Sequence, residues 1–217
     1  MPLSSAESPG KTPQTRQGDP LPQTLEFTIP SRRYSILIMN KRTDSKVRLL
    51  DAAATIVARE GAAHLTMDAV AAESGMSKGG VLYHFPSKHL LLEGMLNGLL
   101  TGFEERVARH REQRDGSLIQ AWILAEQGQS SSQRSMALAL LANAAESPDL
   151  LDPAREFVRG TFSDVRSEAE DEDLNTILLL AAEGLRFLGM LDLLPLDDDE
   201  RGKLHDRLLN LAGKGAP

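Results

Sequence analysis

The stretch Leu65–Leu90 constrains this chain more than any other, because it reads as two short helices joined by a tight turn. Thr66 is a good N-cap: its hydroxyl can accept a hydrogen bond from a backbone N–H that the first helical turn leaves unpaired. Asp68 suits the positive end of the helix dipole. Gly75 ends the helix, since glycine takes the left-handed position after a helix without a Cβ penalty. Ser77 caps a second helix, which stops at Phe85 because Pro86 disfavours helical geometry in the residue before it. Ala71, four residues before Gly75, is small where two helices must cross closely. Short helix, glycine turn and short helix make the helix-turn-helix pattern.

The second helix carries the chemistry. Ser77, Lys78, Gly79 and Gly80 crowd its first turn, where free backbone N–H groups and the dipole favour phosphate. Tyr83, His84 and Lys88 add donors further along, while Val81, Leu82 and Phe85 are expected to face the core. Such a helix can enter a major groove with its N-terminal end against base edges.

The run Gly-Met-Ser-Lys-Gly-Gly-Val-Leu-Tyr-His-Phe-Pro-Ser-Lys resembles the recognition-helix signature of the TetR family of bacterial transcriptional repressors. The resemblance extends over about residues 44–92, with Asp44–Gly61 and Leu65–Ser74 standing for that family's first two helices. It implies an all-α fold: a three-helix DNA-binding domain over residues 40–88, then a helical-bundle domain for ligand binding and dimerisation over 89–217, about nine helices in all. It also implies that Lys78 and the Gly79 backbone read bases, while Thr66, Ser77, Tyr83, His84 and Lys88 hold phosphates, with Gly80 also among the DNA-binding residues.

A pI near 5.3 looks wrong for a DNA binder. Charge is unevenly spread, however. Residues 40–88 hold seven Lys/Arg and five Asp/Glu, a net of +2, whereas residues 89–217 hold thirteen and twenty-three, a net of −10. Affinity for phosphate follows the local field, and a field this modest predicts that two copies are needed for tight binding. With no cysteine, disulfides and thiolate zinc sites are excluded; a reducing cytoplasm fits. No apolar run is long enough to span a bilayer.

Six of the eleven prolines fall in the first thirty residues, among Ser, Thr and Gln, so residues 1–39 are expected to be a disordered extension. Two alternatives stand for it. Arg32 and Arg33 could form a basic arm in a minor groove. Met39-Asn40-Lys41-Arg42 is also how many proteins of the resembled family begin, which would make the preceding residues an over-extended start. Asp44–Glu60 reads as the first helix, with Val47, Leu50, Ala54 and Val57 as its apolar stripe. Lys41, Arg42, Lys46 and Arg48 at its start are either phosphate contacts or a solvated helix end.

A long helix follows from Ser87 or Lys88 to about Glu112, with Gly94, Gly98 and Gly102 recurring every four residues. Each glycine costs about 0.8–1 kcal/mol relative to Ala. Close packing of a neighbour, or a soft link between the domains, would account for them. Further helices are expected near 116–128, 133–146, 149–169, 172–194 and 197–212. The acidic runs Glu168–Asp173 and Asp197–Glu200 lack the spacing of a calcium loop and read as caps; no metal and no cofactor are expected.

Residues Ile177–Leu194 are apolar nearly all round, except for a stripe of Asn175, Glu183 and Arg186. So apolar a helix suggests a partner subunit, and the resemblance implies a homodimer through the last helices. Leu180, Gly184, Leu188 and Leu191 are the expected interface. Phe103, Trp122, Met136, Leu140, Phe157, Phe162 and Phe187 are the candidate pocket residues.

The leading reading is a homodimeric regulator that binds a palindromic double-stranded DNA operator and is released by a small-molecule effector. An enzyme is not expected: the five histidines show no metal-ligand spacing, and neither a phosphate loop nor a nucleophile elbow is present. The alternative is a DNA-binding or interaction protein of the same fold without an effector. A cavity among the C-terminal helices favours the regulator, and solid packing favours the alternative.

Overall fold

The computed structural model describes residues 41–114 and 116–213, without the side chains of 41–43 and 114; the expectations for residues 1–39 lie outside them. Nine α-helices are formed among the described residues: α1 (Lys41–Glu60), α2 (Met67–Ser74), α3 (Lys78–His84), α4 (Lys88–Arg114), α5 (Leu118–Glu126), α6 (Ser131–Ala144), α7 (Asp152–Ser167), α8 (Glu172–Met190) and α9 (Asp198–Ala212). Short 3-10 turns, Ala62–His64 and Pro148–Leu151, precede α2 and α7. The fold is all-α, as the sequence led us to expect.

Local chemistry sets most of the ends. Side-chain oxygens of Thr66, Ser77, Ser117, Ser130, Asp171 and Asp197 cap their helices by accepting backbone N–H bonds. Ser117, Ser130 and Asp197 complete capping boxes with Gln120, Gln133 and Glu200. The acidic runs therefore do supply caps through Asp171 and Asp197. Helix α2 ends in a Schellman turn: Gly75 is left-handed at φ 67°, and Met76 N–H donates to Ala71 O at 3.1 Å. The same motif stops α8 four residues before the expected Leu194. Asp192 turns left-handed at φ 58°, and Leu193 N–H donates to Leu188 O at 2.9 Å. Helix α7 begins later than expected, because Pro148–Leu151 winds as a 3-10 turn first.

The N-terminal head packs around Leu49, Ile56, Leu65, Val70, Val81, Phe85 and Leu91. Two expectations on facing need correction. On α1 the buried face is Leu49, Ala52, Ala53, Ile56 and Val57, while Val47 is exposed. The reason is that α1 is gripped by α2, α4 and α6 together, so its buried face is wide and centred on Ala53. On α3, Val81 and Phe85 share one face four residues apart and are buried, whereas Leu82 sits about a quarter-turn round and is exposed.

The body packs around α5, which is buried on nearly every side through Ile119, Ala121, Trp122, Ile123 and Ala125. Helix α8 is inside out. Asn175 is buried and Glu183 and Arg186 are partly buried, pointing with Leu179 and Met190 into the chain's own interior. Ile177, Leu180, Leu188 and Leu191 stand exposed on the opposite face. Of the three glycines in α4, only Gly94 is held by close packing: a Cβ there would lie 2.8 Å from Phe85 Cε1 and 3.3 Å from Leu50 Cδ2. At Gly98 nothing lies within 4 Å, and at Gly102 only the end of Arg106 comes close.

Candidate functional site

Two places on the described chain can do chemistry, and the first is the outer face of α3. Its N-cap Ser77 accepts from Gly80 N–H at 3.1 Å, and Thr66 accepts from Ala69 N–H at 3.1 Å. Each hydroxyl retains its own proton for an outside acceptor. Lys78 Nζ lies 2.9 Å from Asp68 Oδ1 in an exposed pair, a contact worth little in water and readily given up to a phosphate or base. Tyr83 is 63% exposed and meets His84 edge-on, with ring centroids 5.2 Å apart. Lys88 sits just past Pro86, partly exposed at the start of α4.

Gly79 is the informative member. It sits inside a helix, where glycine is unfavourable, yet a Cβ there would meet nothing within 4 Å. Among the described residues nothing requires a glycine at this exposed position, which leaves room for a body approaching from outside. The basic residues of α1 divide differently from the expectation. Arg48 donates to Ser74 O at 2.7 Å and ties α1 to the end of α2, while Lys46 Nζ lies 5.4 Å from the Phe85 ring centroid.

The second place is a cavity of about 220 Å³ in the body. Helices α4 to α8 and the Pro148–Leu151 turn line it: Leu96, Leu99, Leu100 and Phe103; Trp122; Ala137, Leu140 and Leu141; Leu151; Ala154, Phe157 and Val158; Phe187 and Met190. Five of the seven candidate pocket residues are among these. Met136 and Phe162 are not. Met136 lies about a quarter-turn round α6 and packs against the head core. Phe162, five residues beyond Phe157 and so on nearly the opposite side of α7, packs into the body core.

The sequence nominated Trp122 for this cavity and set Glu183 and Arg186 on one stripe, but it did not reveal the polar cluster they form with Glu126. Trp122 Nε1–H is shared between Glu126 Oε1 at 3.2 Å and Glu183 Oε1 at 3.1 Å. Arg186 Nε–H donates to Glu183 Oε2 at 3.0 Å and lies 3.6 Å from Glu126 Oε1. Glu126 Oε2 is buried with no hydrogen-bond partner. Burial, and then its contact with Glu183, push the Glu126 carboxyl up to about 9. Burial also works against charge on Glu183, but hydrogen bonds with Glu126, Arg186 and Trp122 outweigh it and hold Glu183 below the usual carboxylate range. At neutral pH the pair therefore carries one proton and one charge. Arg106, Gln129 and Gln133 complete the polar lining; Arg106 donates to Gly102 O at 3.1 Å and Ala125 O at 3.3 Å, with its guanidinium 5.3 Å from the Phe103 ring centroid. The overlooked signal is Glu126 itself, the one charged residue of α5, four residues from the only tryptophan.

Two family profiles match the chain: one described as bacterial regulatory proteins of the tetR family over residues 49–95, and one described as a tetracyclin repressor-like C-terminal domain over 116–213. No curated protein matches. Several solved structures share the fold. A transcriptional regulator from Rhodococcus sp. Rha1 is 19% identical, with 77% of this chain and 95% of that chain covered and a TM-score of 0.63. A TetR-family member from Streptomyces coelicolor A3 is 24% identical, covering 76% and 98%, with a TM-score of 0.61. The multidrug binding protein EbrR, complexed with ethidium, is 24% identical, covering 76% and 98%, with a TM-score of 0.58.

Proposed function

Because the chain belongs to the TetR family of bacterial regulatory proteins, we propose that it is a homodimeric transcriptional repressor released from a palindromic operator by a small-molecule effector. The observation that carries this is the apolar cavity in the same compact unit as the helix-turn-helix. A solidly packed body would have favoured the effector-free alternative. An engineered cavity of about 150 Å³ already holds benzene, so about 220 Å³ has room for a larger apolar molecule. EbrR, which shares the fold, is complexed with ethidium, malachite green and proflavin. That supports this fold as a host for aromatic molecules.

The inside-out α8 supports the dimer. Ile177, Leu180, Leu188 and Leu191 form one exposed apolar face with Gly184 among them, and a Cβ at Gly184 would meet nothing within 4 Å. A second copy of the same face would bury it about a two-fold axis. The two recognition helices would then lie on one side of the dimer and read successive half-sites. Effector in the cavity touches α4, whose first turn follows α3 directly, so a shift of α4 changes the spacing of the two readers.

Selection of bound sequences from a random DNA library tests the reading. A palindromic site should emerge, and a screen of small aromatic molecules should find some that release it. Recovery of DNA without sequence preference, or a palindrome that no cavity ligand releases, would favour the effector-free alternative.

A further inference from the structure

We propose that this cavity takes a lipophilic aromatic cation, and that the cation enters in exchange for the proton held between Glu126 and Glu183. This rests on the reading of the cavity as the effector site and names the class of effector.

Geometry points to a cation. Two carboxylates face one another across a single indole N–H inside an apolar enclosure, where like charges cannot both persist without a counter-charge. Among the described residues Arg186 is the one cation in contact with them, and it is engaged by both. The remaining lining charge is Arg106 of α4, whose guanidinium N–H groups are turned onto the backbone carbonyls of Gly102 and Ala125. The lining residues of α6 and α7 bring no charge, and α5 brings only Glu126. Arg106 thus commits Nε and Nη1 to the backbone, whereas Glu126 Oε2 is a buried acceptor with no hydrogen-bond partner.

Beside that oxygen stand aromatic faces. Trp122 and Phe157 stack with centroids 5.7 Å apart, and Phe103 meets Trp122 edge-on at 4.5 Å. Aromatic faces together with a desolvated carboxylate are the chemistry that recognises a delocalised cation. The triad and its ligand sum to zero in both states, and the Arg106 charge is the same in each. Empty, the triad is a protonated Glu126, an ionised Glu183 and Arg186, a sum of zero. Occupied, the Glu126 proton leaves to solvent and the ligand's positive charge replaces it. A neutral aromatic molecule would fill the same walls without moving a proton.

Trp122 is the only tryptophan, so its fluorescence reports this site in the full chain. Two probes of similar shape separate the possibilities: 1-methylquinolinium, permanently charged, and 1-methylnaphthalene, uncharged. Between pH 6 and pH 8 the dissociation constant of the cation should fall about tenfold per pH unit, the linkage expected for one released proton. Calorimetry in two buffers of different ionisation heat should count about one proton per cation. Glu126→Gln mimics the protonated acid; it should abolish the pH dependence and weaken the cation at least tenfold at pH 8. The neutral probe should bind wild type and variant alike at every pH, which also shows that the variant's cavity is intact. Cation binding that ignores pH, or that survives in the variant, overturns the exchange while leaving the cavity a ligand site. If neither probe changes Trp122 emission, both the exchange and the effector-site reading fall.

Discussion

In the head, Leu49, Leu65, Val70 and Val81 are completely closed off, and even a missing Cβ, at Gly94, is filled by the Phe85 ring. In the body, Leu99, Leu141 and Phe157 stop at a void, and an acid pair is kept inside it. The head must present α3 in one geometry, and dense packing fixes it. The body gives up contact energy along the cavity wall and spends solvation on Glu126, which is costly unless something comes to occupy the space. A cavity walled in part by a buried acid adds little to holding a fold and makes occupancy matter.

The largest expected contrast comes from one face rather than from either core. Leu188→Glu on the exposed side of α8 should leave the chain folded but monomeric, because a carboxylate with no partner would be buried between the copies. Sedimentation should show one chain and operator binding should be lost; an intact dimer would move the interface elsewhere. Next, paired truncations compare the two packings. Leu49→Ala should cost about 2–5 kcal/mol of stability, and Leu141→Ala on the cavity wall distinctly less, since it already lacks neighbours on one side. Equal losses in denaturant titrations would mean that the body is as tightly packed as the head.

Glu126→Gln sharpens the comparison through pH. Burial raises the Glu126 carboxyl from 4.5 to about 9 in the folded chain, so folding favours its protonated form. The stability from this group is fully present below pH 4.5 and is lost as pH rises through about 9. The variant has no proton to lose. Its melting temperature should therefore gain on wild type steadily from pH 5 to pH 9, and a constant difference would remove the buried proton from the account.

The smallest effects concern glycines. Gly79→Ala and Gly98→Ala have room for the methyl and should each stabilise the helix by about 0.8–1 kcal/mol. Gly79→Ala should nevertheless weaken DNA binding, and Gly98→Ala should leave it near normal while blunting the response to effector. Thermal melts beside operator titrations check both; lowered melting temperatures would show contacts that the open surroundings do not suggest.

How legible each part was follows from how local its cause is. Thr66, Gly75, Ser77, Asp171 and Asp197 act on backbone groups within a few residues, and the sequence alone reveals them. Facing is less local. Val47 and Leu82 have the right residue type for a core, but which side of α1 or α3 is buried depends on helices distant in sequence. The cavity is the least local feature, since it is what five helices fail to fill. Periodicity could nominate Phe157 and Phe162 equally, although only Phe157 reaches the void. Glu183 and Arg186 were readable as a pair three apart on α8; that Glu126 of α5 joins them was not.

The central claim is that filling the cavity moves the head. One titration tests it most directly: Trp122 emission and the anisotropy of a labelled, selected operator, followed together as 1-methylquinolinium is added at pH 8. Quenching and DNA release should follow one curve, with the midpoint moving to higher ligand concentration as operator concentration is raised. Full quenching of Trp122 with the operator still bound, at every operator concentration, would contradict the claim.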